Sequence, residues 1–227
     1  MATAYYLELV IKMTEAKSDR EHVPMIIFNH PDVPDRTDYI LGKSKESPLD
    51  AIVSIGKTLV NLGVEFISIP CITAHYFYED ILKGIGIPVI NMLRETAIYL
   101  KVNNIERVGI MATDGTIKAG FFTEELEKQG IKVCIPSKNN QKMVMSIIYD
   151  DIKANKSYDI NGFKRVEQEL REAGAQVIIL GCTELSLIKK DGQAGIGFLD
   201  AMEVLAVKSI ELSGASIKDE YKNLLIV

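Results

Sequence analysis

The sequence predicts an α/β protein made of two similar halves, each built on a parallel sheet of about four strands, related by a pseudo-twofold axis. Three observations carry this. Short β-branched runs alternate with helical patterns along the whole chain, as in proteins built on parallel sheets. The run Gly63-Val-Glu-Phe-Ile-Ser-Ile-Pro-Cys71-Ile-Thr73 has an echo in Gly174-Ala-Gln-Val-Ile-Ile-Leu-Gly-Cys182-Thr183. In both, a Gly opens an apolar run of the kind buried on two faces, and a Cys closes it at the same spacing. The echo also reaches outward: Ile55, Leu59 and Gly63 match Val166, Leu170 and Gly174 at one offset, and Ile87-Pro-Val-Ile-Asn91 resembles Ile196-Gly-Phe-Leu-Asp200.

Taken in order, Thr3 to about Lys17 reads as an amphipathic helix with Tyr6, Leu9, Val10 and Met13 on one face. Pro24–Asn29 reads as a short buried strand. A long loop rich in Pro and Asp follows to Pro48, and loops of that length are often functional. Pro48 suits the first turn of a helix to Leu62. Strand 64–69 leads through Pro70 and Cys71 into a helix over 73–83. A brief strand at 88–90 ends at Asn91, which caps a helix to Val102.

The second half repeats the plan. Strand 106–111 ends in the turn Ala112-Thr113-Asp114-Gly115-Thr116, followed by a helix to Gln129. Strand 131–135 and a helix from Ser137 to Lys153 come next. Helix 161–173, strand 176–180, a helix over 183–190 and strand 196–199 complete the set, and Asp200 caps a closing helix to Ser213. That last helix corresponds to the one after Ile90, so it is expected to pack back on the first half. The expected units are therefore 1–100 plus 205–227, and 101–204.

Bulk properties remove several function classes. With 227 residues the chain has ample core. A hydrophobic fraction of 47%, a charged fraction of 25% and a net charge of −5 describe an ordinary globular protein with no basic stripe. Nucleic acid is therefore an unexpected partner. No run approaches a membrane span, and no secretory pattern is read at the start. Three Cys do not make a disulfide framework, which fits a reducing, cytoplasmic setting. The three His (His22, His30, His75) form no ligand spacing, so no metal is expected. No Gly-rich nucleotide loop is present.

Cys71 and Cys182 fall beyond the carboxyl ends of their strands, where open parallel sheets bind ligands. Each precedes a helical pattern, whose N-terminus favours a thiolate. If the halves face each other, the two thiols flank one cleft. Two opposed bases suit proton transfer at carbon: one thiolate removes a proton and the opposite thiol returns one to the other face. Cys134, inside a strand, reads as core. His75 reads as structural, and Glu124, Glu125 and Glu127 read as a solvated helix face.

Cys71-Ile-Thr-Ala-His75 and Gly181-Cys182-Thr-Glu184 resemble the paired motifs of the aspartate/glutamate racemase superfamily. Pro34-Asp-Arg36-Thr37 and Met111-Ala-Thr113-Asp-Gly115-Thr116 match as well. The resemblance covers essentially the whole chain and is nearest to the aspartate racemase branch, since Glu184 stands where glutamate racemases tend to carry His. It implies a PLP-independent amino-acid racemase with no cofactor, often a homodimer, using Cys71 and Cys182 as the two bases. Arg36 and Lys153 would hold the substrate's side-chain carboxylate, and Thr73, Thr113, Thr183 and Glu184 would line the pocket. Ile72 stands where the family usually has Asn, which leaves the substrate carboxylate to main-chain N–H groups and Thr73. Family members also begin with a strand and a Gly-rich turn, whereas Met1-Ala-Thr-Ala-Tyr-Tyr already reads as the first helix. The expectation is a chain without that inner strand, less stable and less active for it. Other members of the superfamily isomerise maleate, racemise hydantoins or decarboxylate malonates. A non-catalytic binding protein on the same scaffold is the remaining alternative.

Overall fold

A computed structural model describes residues 2–225. Met1, Ile226 and Val227, which belong to the expected N-terminal unit, lie outside the described residues. Helix α1 (Ala2–Met13) is followed by a long irregular stretch holding α2 (Arg36–Ile40), and then by α3 (Leu49–Asn61). A 3-10 segment (Ile72–Phe77) runs into α4 (Tyr78–Ile85), and α5 (Met92–Val102) closes the first half. The second half contains β1 (Arg107–Ala112), α6 (Asp114–Ala119), α7 (Phe121–Lys128), β2 (Lys132–Cys134) and α8 (Lys138–Ser146). A π-helical turn (Ile147–Ile152) leads on to α9 (Ile160–Glu172), β3 (Val177–Gly181), α10 (Ser186–Lys190), β4 (Phe198–Asp200) and α11 (Ala201–Leu212). Among the described residues no helix is long and apolar enough to cross a membrane.

The sheet has the order β2-β1-β3-β4 and all its pairs are parallel. Strand pleating sends alternate side chains to opposite faces. Val108, Ile110, Ala112, Val177 and Ile179 join a core made with α1, α5, α7 and α11. Met111, Ile178, Leu180 and Phe198 join a second core with α8, the π turn and α9. Both faces are thus covered, as the apolar runs predict. Gly109 lets α9 approach, since a Cβ there would sit 3.0 Å from Leu170.

Among the described residues the first half forms no second sheet of this kind, which corrects the expectation of two. Only an isolated parallel bridge, Ile67↔Val89, joins 64–69 to 88–90. Strand β3 lies between β1 and β4, but 64–69 has no neighbour on its other side among the described residues, and a cavity lies there instead. Residues 24–29 form no strand, and Ile26, Ile27 and Phe28 are 46%, 42% and 45% exposed. The physical reason is the same: an extended segment without a ladder partner leaves its backbone groups to water. This half is held mainly by α3 packing on α4 through Leu59, Ile67, Phe77, Ile81, Ile85 and Val89. A Cβ on Gly56 would run into the Ile85 side chain, so a larger residue there would force that side chain to shift.

Smaller differences have local causes. Helix α1 stops at Met13, because Thr14 turns to bridge Ile217. The long loop contains α2, which Asp35 caps by accepting from the Asp38 N–H at 3.0 Å. The expected helix over 73–83 starts as 3-10, and the one after Thr113 breaks at Gly120, whose φ is 73°. The helix from Ser137 widens to a π turn before Lys153. Residues 183–185 are a turn, so α10 begins only at Ser186. Cys134 is half-buried on the edge strand β2 and bonds the Ala173 carbonyl at 3.4 Å, so it is not full core. Glu125 is drawn out of solvent by Arg94 and Lys128.

Helix α11 packs on α5 and α1. The Tyr6 hydroxyl lies 2.6 Å from the Ser209 hydroxyl, which lies 2.8 Å from that of Ser68. This chain of hydroxyls ties α1, α11 and the 64–69 segment together at the cavity wall.

Candidate active site

One cavity of about 900 Å³ is lined from both halves. Its lining includes Arg36, Cys71, Ile72, Thr73, Thr113, Lys153, Cys182, Thr183 and Glu184, so every residue singled out for a site borders the same space. Apolar lining comes from Val10, Leu59, Phe66 and Ile67, with Tyr6 beside them.

Cys71 caps the 3-10 segment and Cys182 lies at the end of β3. The Cys71 sulfur lies 3.4 Å from the Thr73 hydroxyl. Its carbonyl is held by His75 Nδ1 at 2.9 Å, and the Met92 N–H donates to His75 Nε2 at 3.2 Å. His75 Nε2 also lies 3.3 Å from the Ile90 carbonyl. Burial keeps the His75 pKa low and the ring neutral, so His75 acts as a brace between Cys71 and α5.

The Cys182 thiol donates to Glu184 Oε2 at 2.9 Å, and the Thr183 hydroxyl lies 3.4 Å from the same oxygen. Burial first, and then the Glu184 charge, push the Cys182 thiol well above its ordinary pKa. This overturns the expectation that a helix N-terminus favours a thiolate here. The following helix is five residues long and starts only after a turn, so its dipole is short and displaced.

Arg36 opens α2, and its Nη1 donates to the Val33 and Pro34 carbonyls, both at 3.2 Å. Negative charge on Cys71 is the main influence that raises the Arg36 pKa, and it outweighs partial burial. Lys153 follows the π turn. Its Nζ lies 3.5 Å from Asp35 Oδ2 and 3.9 Å from the centre of the Tyr149 ring. Burial works against the Lys153 ammonium, but the charges of Glu184, Tyr149, Cys182 and Asp35 outweigh it and raise its pKa. The Tyr149 hydroxyl reaches Asp35 at 3.3 Å. Asp35 is pulled upward by burial, yet the Asp38 N–H, Lys153 and Arg36 prevail and lower its pKa. Thr113 caps α6, and the Thr37 hydroxyl donates to it at 3.2 Å across the halves. Ile72 borders the cavity but is only 3% exposed and belongs to the main core, so its side chain is chiefly core packing.

Sequence reasoning took His75 as structural, which its bonds to Cys71 and Met92 agree with, but gave no role to Asp35 or Tyr149. Asp35 carries a readable signal, since Asp-x-x-Asp before a helix is a capping pattern. Tyr149 carries none, because a π turn is not legible in residue spacing. Among the described residues no three His, Cys, Asp or Glu come together as metal ligands.

The chain is similar to known proteins over nearly its full length. A family model described as Asp/Glu/Hydantoin racemase matches residues 1–208. The structure of Picrophilus torridus aspartate racemase superposes with a TM-score of 0.84 at 28% identity, covering 97% of this chain and 93% of that one. The broad specificity amino-acid racemase RacX of Bacillus subtilis is 25% identical over 215 residues, 92% of each chain. A glutamate racemase of Aquifex aeolicus is 27% identical over 93% of this chain and 80% of its own. With the doubled strand-end cysteines and the shared cavity already in view, these matches settle the family: this chain belongs to the Asp/Glu/hydantoin racemase family.

Proposed function

We propose that the protein racemises an amino acid at Cα without a cofactor, using Cys71 and Cys182 as the two proton-transferring groups, with aspartate as the preferred substrate. One observation carries this reading: two cysteines at matched positions of a repeated motif border one cavity from opposite halves. Arg36 and Lys153 supply positive charge for a substrate with two carboxylates, and Arg36 has the planar fork suited to gripping one. Thr73, Thr113 and Thr183 offer hydroxyls around the bound ligand, and Glu184 completes the wall. We carry the division into 1–100 plus 205–227 and 101–204, and a homodimer, as part of the same proposal.

L-Aspartate in heavy water tests it. Loss of the Cα proton signal together with appearance of D-aspartate on a chiral column is the expected result. Neither change over a panel of amino acids would reject the reading. The cavity's size and partly apolar lining favour a second reading, broad tolerance of the side chain, as the name of the Bacillus relative also says of that protein. Comparable turnover of neutral and acidic amino acids in the panel would select it.

A further inference from the structure

We propose that Glu184 is a positioning residue for Cys182: it accepts the hydrogen bond of that thiol, and so fixes Cys182 as the proton donor of the free protein and Cys71 as the proton acceptor. The inference rests on the racemase reading for its catalytic step, while its first test needs no turnover.

The two cysteines occupy equivalent places in the repeat but face unlike neighbours. Two residues after Cys71 stands Thr73, a neutral hydroxyl at 3.4 Å. Two residues after Cys182 stands Glu184, a carboxylate oxygen at 2.9 Å. An acceptor at that distance bonds a thiol and repels a thiolate, so the contact persists only while Cys182 keeps its proton. Cys182 is also 7% exposed, which leaves little water to stabilise a charge there. The position of Cys182 well above the ordinary thiol pKa agrees with both causes.

Other charges also face this sulfur. Lys153, reaching in after the π turn, acts the other way on Cys182, but Asp35 shares its charge at 3.5 Å. Arg36 from α2 feels Glu184 weakly and Cys71 most strongly. The cation beside one sulfur and the anion beside the other make the two sides of the cavity chemically unequal.

The Cα–H bond breaks, its proton passes to the Cys71 sulfur, and the electron pair stays on Cα, delocalised into the substrate carboxylate. The S–H bond of Cys182 then breaks and its proton forms a new Cα–H bond on the opposite face. The protein is left with a Cys71 thiol and a Cys182 thiolate next to Glu184, a like-charge pair. It resets when Cys71 gives a proton to water and Cys182 takes one back.

The test is iodoacetamide labelling of the free protein over a pH series, with each cysteine read separately by mass spectrometry. Glu184→Gln is expected to lower the pH midpoint for Cys182 by at least about one unit, a tenfold gain in thiolate at a fixed lower pH. Cys134 labelling serves as the internal control and is expected to stay unchanged. Glu184→Asp keeps the charge but withdraws it from contact, and is expected to shift the Cys182 midpoint by less; it also serves if the Gln variant does not fold. A midpoint unmoved in both variants overturns the proposal. The midpoint, unlike the absolute rate, does not respond to mere access. A second measurement addresses direction. L and D enantiomers have equal free energy in water, so kcat/KM stays equal in both directions for any variant. Glu184→Gln is expected to change the ratio of the two kcat values, with KM moving in step; an unchanged ratio removes the donor and acceptor assignment. If no amino acid turns over at all, the racemase reading fails while the labelling result stands.

Discussion

Segment 64–69 and strand β3 begin alike and end in different surroundings. Gly63 and Gly174 both open with positive φ, 85° and 88°. The Gly63 N–H donates to the Val60 carbonyl at 2.9 Å, and the Gly174 N–H to that of Arg171 at 2.9 Å. Ile67 N–H meets the Pro88 carbonyl at 2.9 Å, as Ile178 N–H meets that of Gly197 at 2.9 Å. Asn91 and Asp200 then cap α5 and α11 in the same manner. The repeat in the sequence is thus a repeat in backbone bonding. What differs is the far side. Strand β3 has a ladder to β1 from Val108↔Val177 to Ala112↔Gly181, whereas 64–69 borders the cavity. Local pattern sets the local geometry, and the neighbour brought by the rest of the chain decides whether a strand becomes part of a sheet.

The strongest way to break this comparison is to remove one sulfur at a time. Cys71→Ser and Cys182→Ser are each expected to cut racemisation by at least about a hundredfold, the lower range for losing a positioned acid or base. A hydroxyl is far less ionised near neutral pH than a thiol. Full activity in either variant, assayed from both enantiomers, would mean that the repeat places only one working group.

A smaller loss is expected from Arg36, whose charge is coupled most strongly to Cys71. Arg36→Ala should reduce kcat/KM for aspartate on the order of tenfold or more, in line with a lost charge-assisted bond of about 1.5–3 kcal/mol. Neutral amino acids should lose less. Equal losses on both would show that Arg36 serves to shape the loop, through its bonds to Val33 and Pro34.

Much of this was legible in the sequence because it depends on short-range chemistry. The Gly-to-Cys runs, the caps Asn91, Thr113 and Asp200, and the apolar stripes of α1 and α3 are local signals. The second half reads almost throughout. The first half does not, and the reason is visible at Ile26, Ile27 and Phe28: three apolar residues in a row describe a strand only where a partner strand exists. The site divides in the same way. The candidates from Arg36 to Glu184 come from motif and resemblance and border one cavity, but the raised pKa of the Cys182 thiol follows from its enclosure and from a carboxylate at 2.9 Å. Neither can be read from spacing. Ile72 likewise looks like a pocket position in the motif and is buried in the main core.

Ile72 gives a stability prediction. Ile72→Asn would restore the residue the family usually has here, but the side chain lies with core residues in the main apolar cluster. An amide buried there without partners costs about 1–3 kcal/mol, added to the lost apolar burial. A lower melting temperature and no gain in aspartate turnover are expected. A variant that melts as high as the parent and turns over faster would move Ile72 from core to pocket.

The two caps sharpen the comparison most finely. Asn91 and Asp200 do the same backbone work: Asn91 Oδ1 accepts from Leu93 and Arg94 N–H, and Asp200 Oδ1 accepts from Met202 N–H at 2.9 Å and the Ser186 hydroxyl at 2.8 Å. Asp200 differs in having a second oxygen that is fully buried with no hydrogen-bond partner. Burial first, then the charge of Glu203, raise its pKa from 3.8 to about 7, against the pull of Met202 N–H, Ser186 and Lys189. A carboxyl that holds its proton more tightly when folded stabilises the fold fully below its unfolded pKa. That stabilisation is lost as pH rises from about 4 to about 7, by at most about 1.4 kcal/mol per unit, and then stays flat. Other carboxylates act in the opposite sense, so the difference between two proteins is the quantity to follow. Asp200→Asn is neutral at every pH and keeps the capping oxygen. Its melting temperature relative to the parent is expected to climb across that window and level off above it. Asn91→Asp places a carboxylate at the matching cap without the Glu203 neighbour, and the same difference plot for it should lack the climb. A flat plot for Asp200→Asn would mean that the carboxylate is charged throughout and that the unpartnered oxygen is tolerated as an anion.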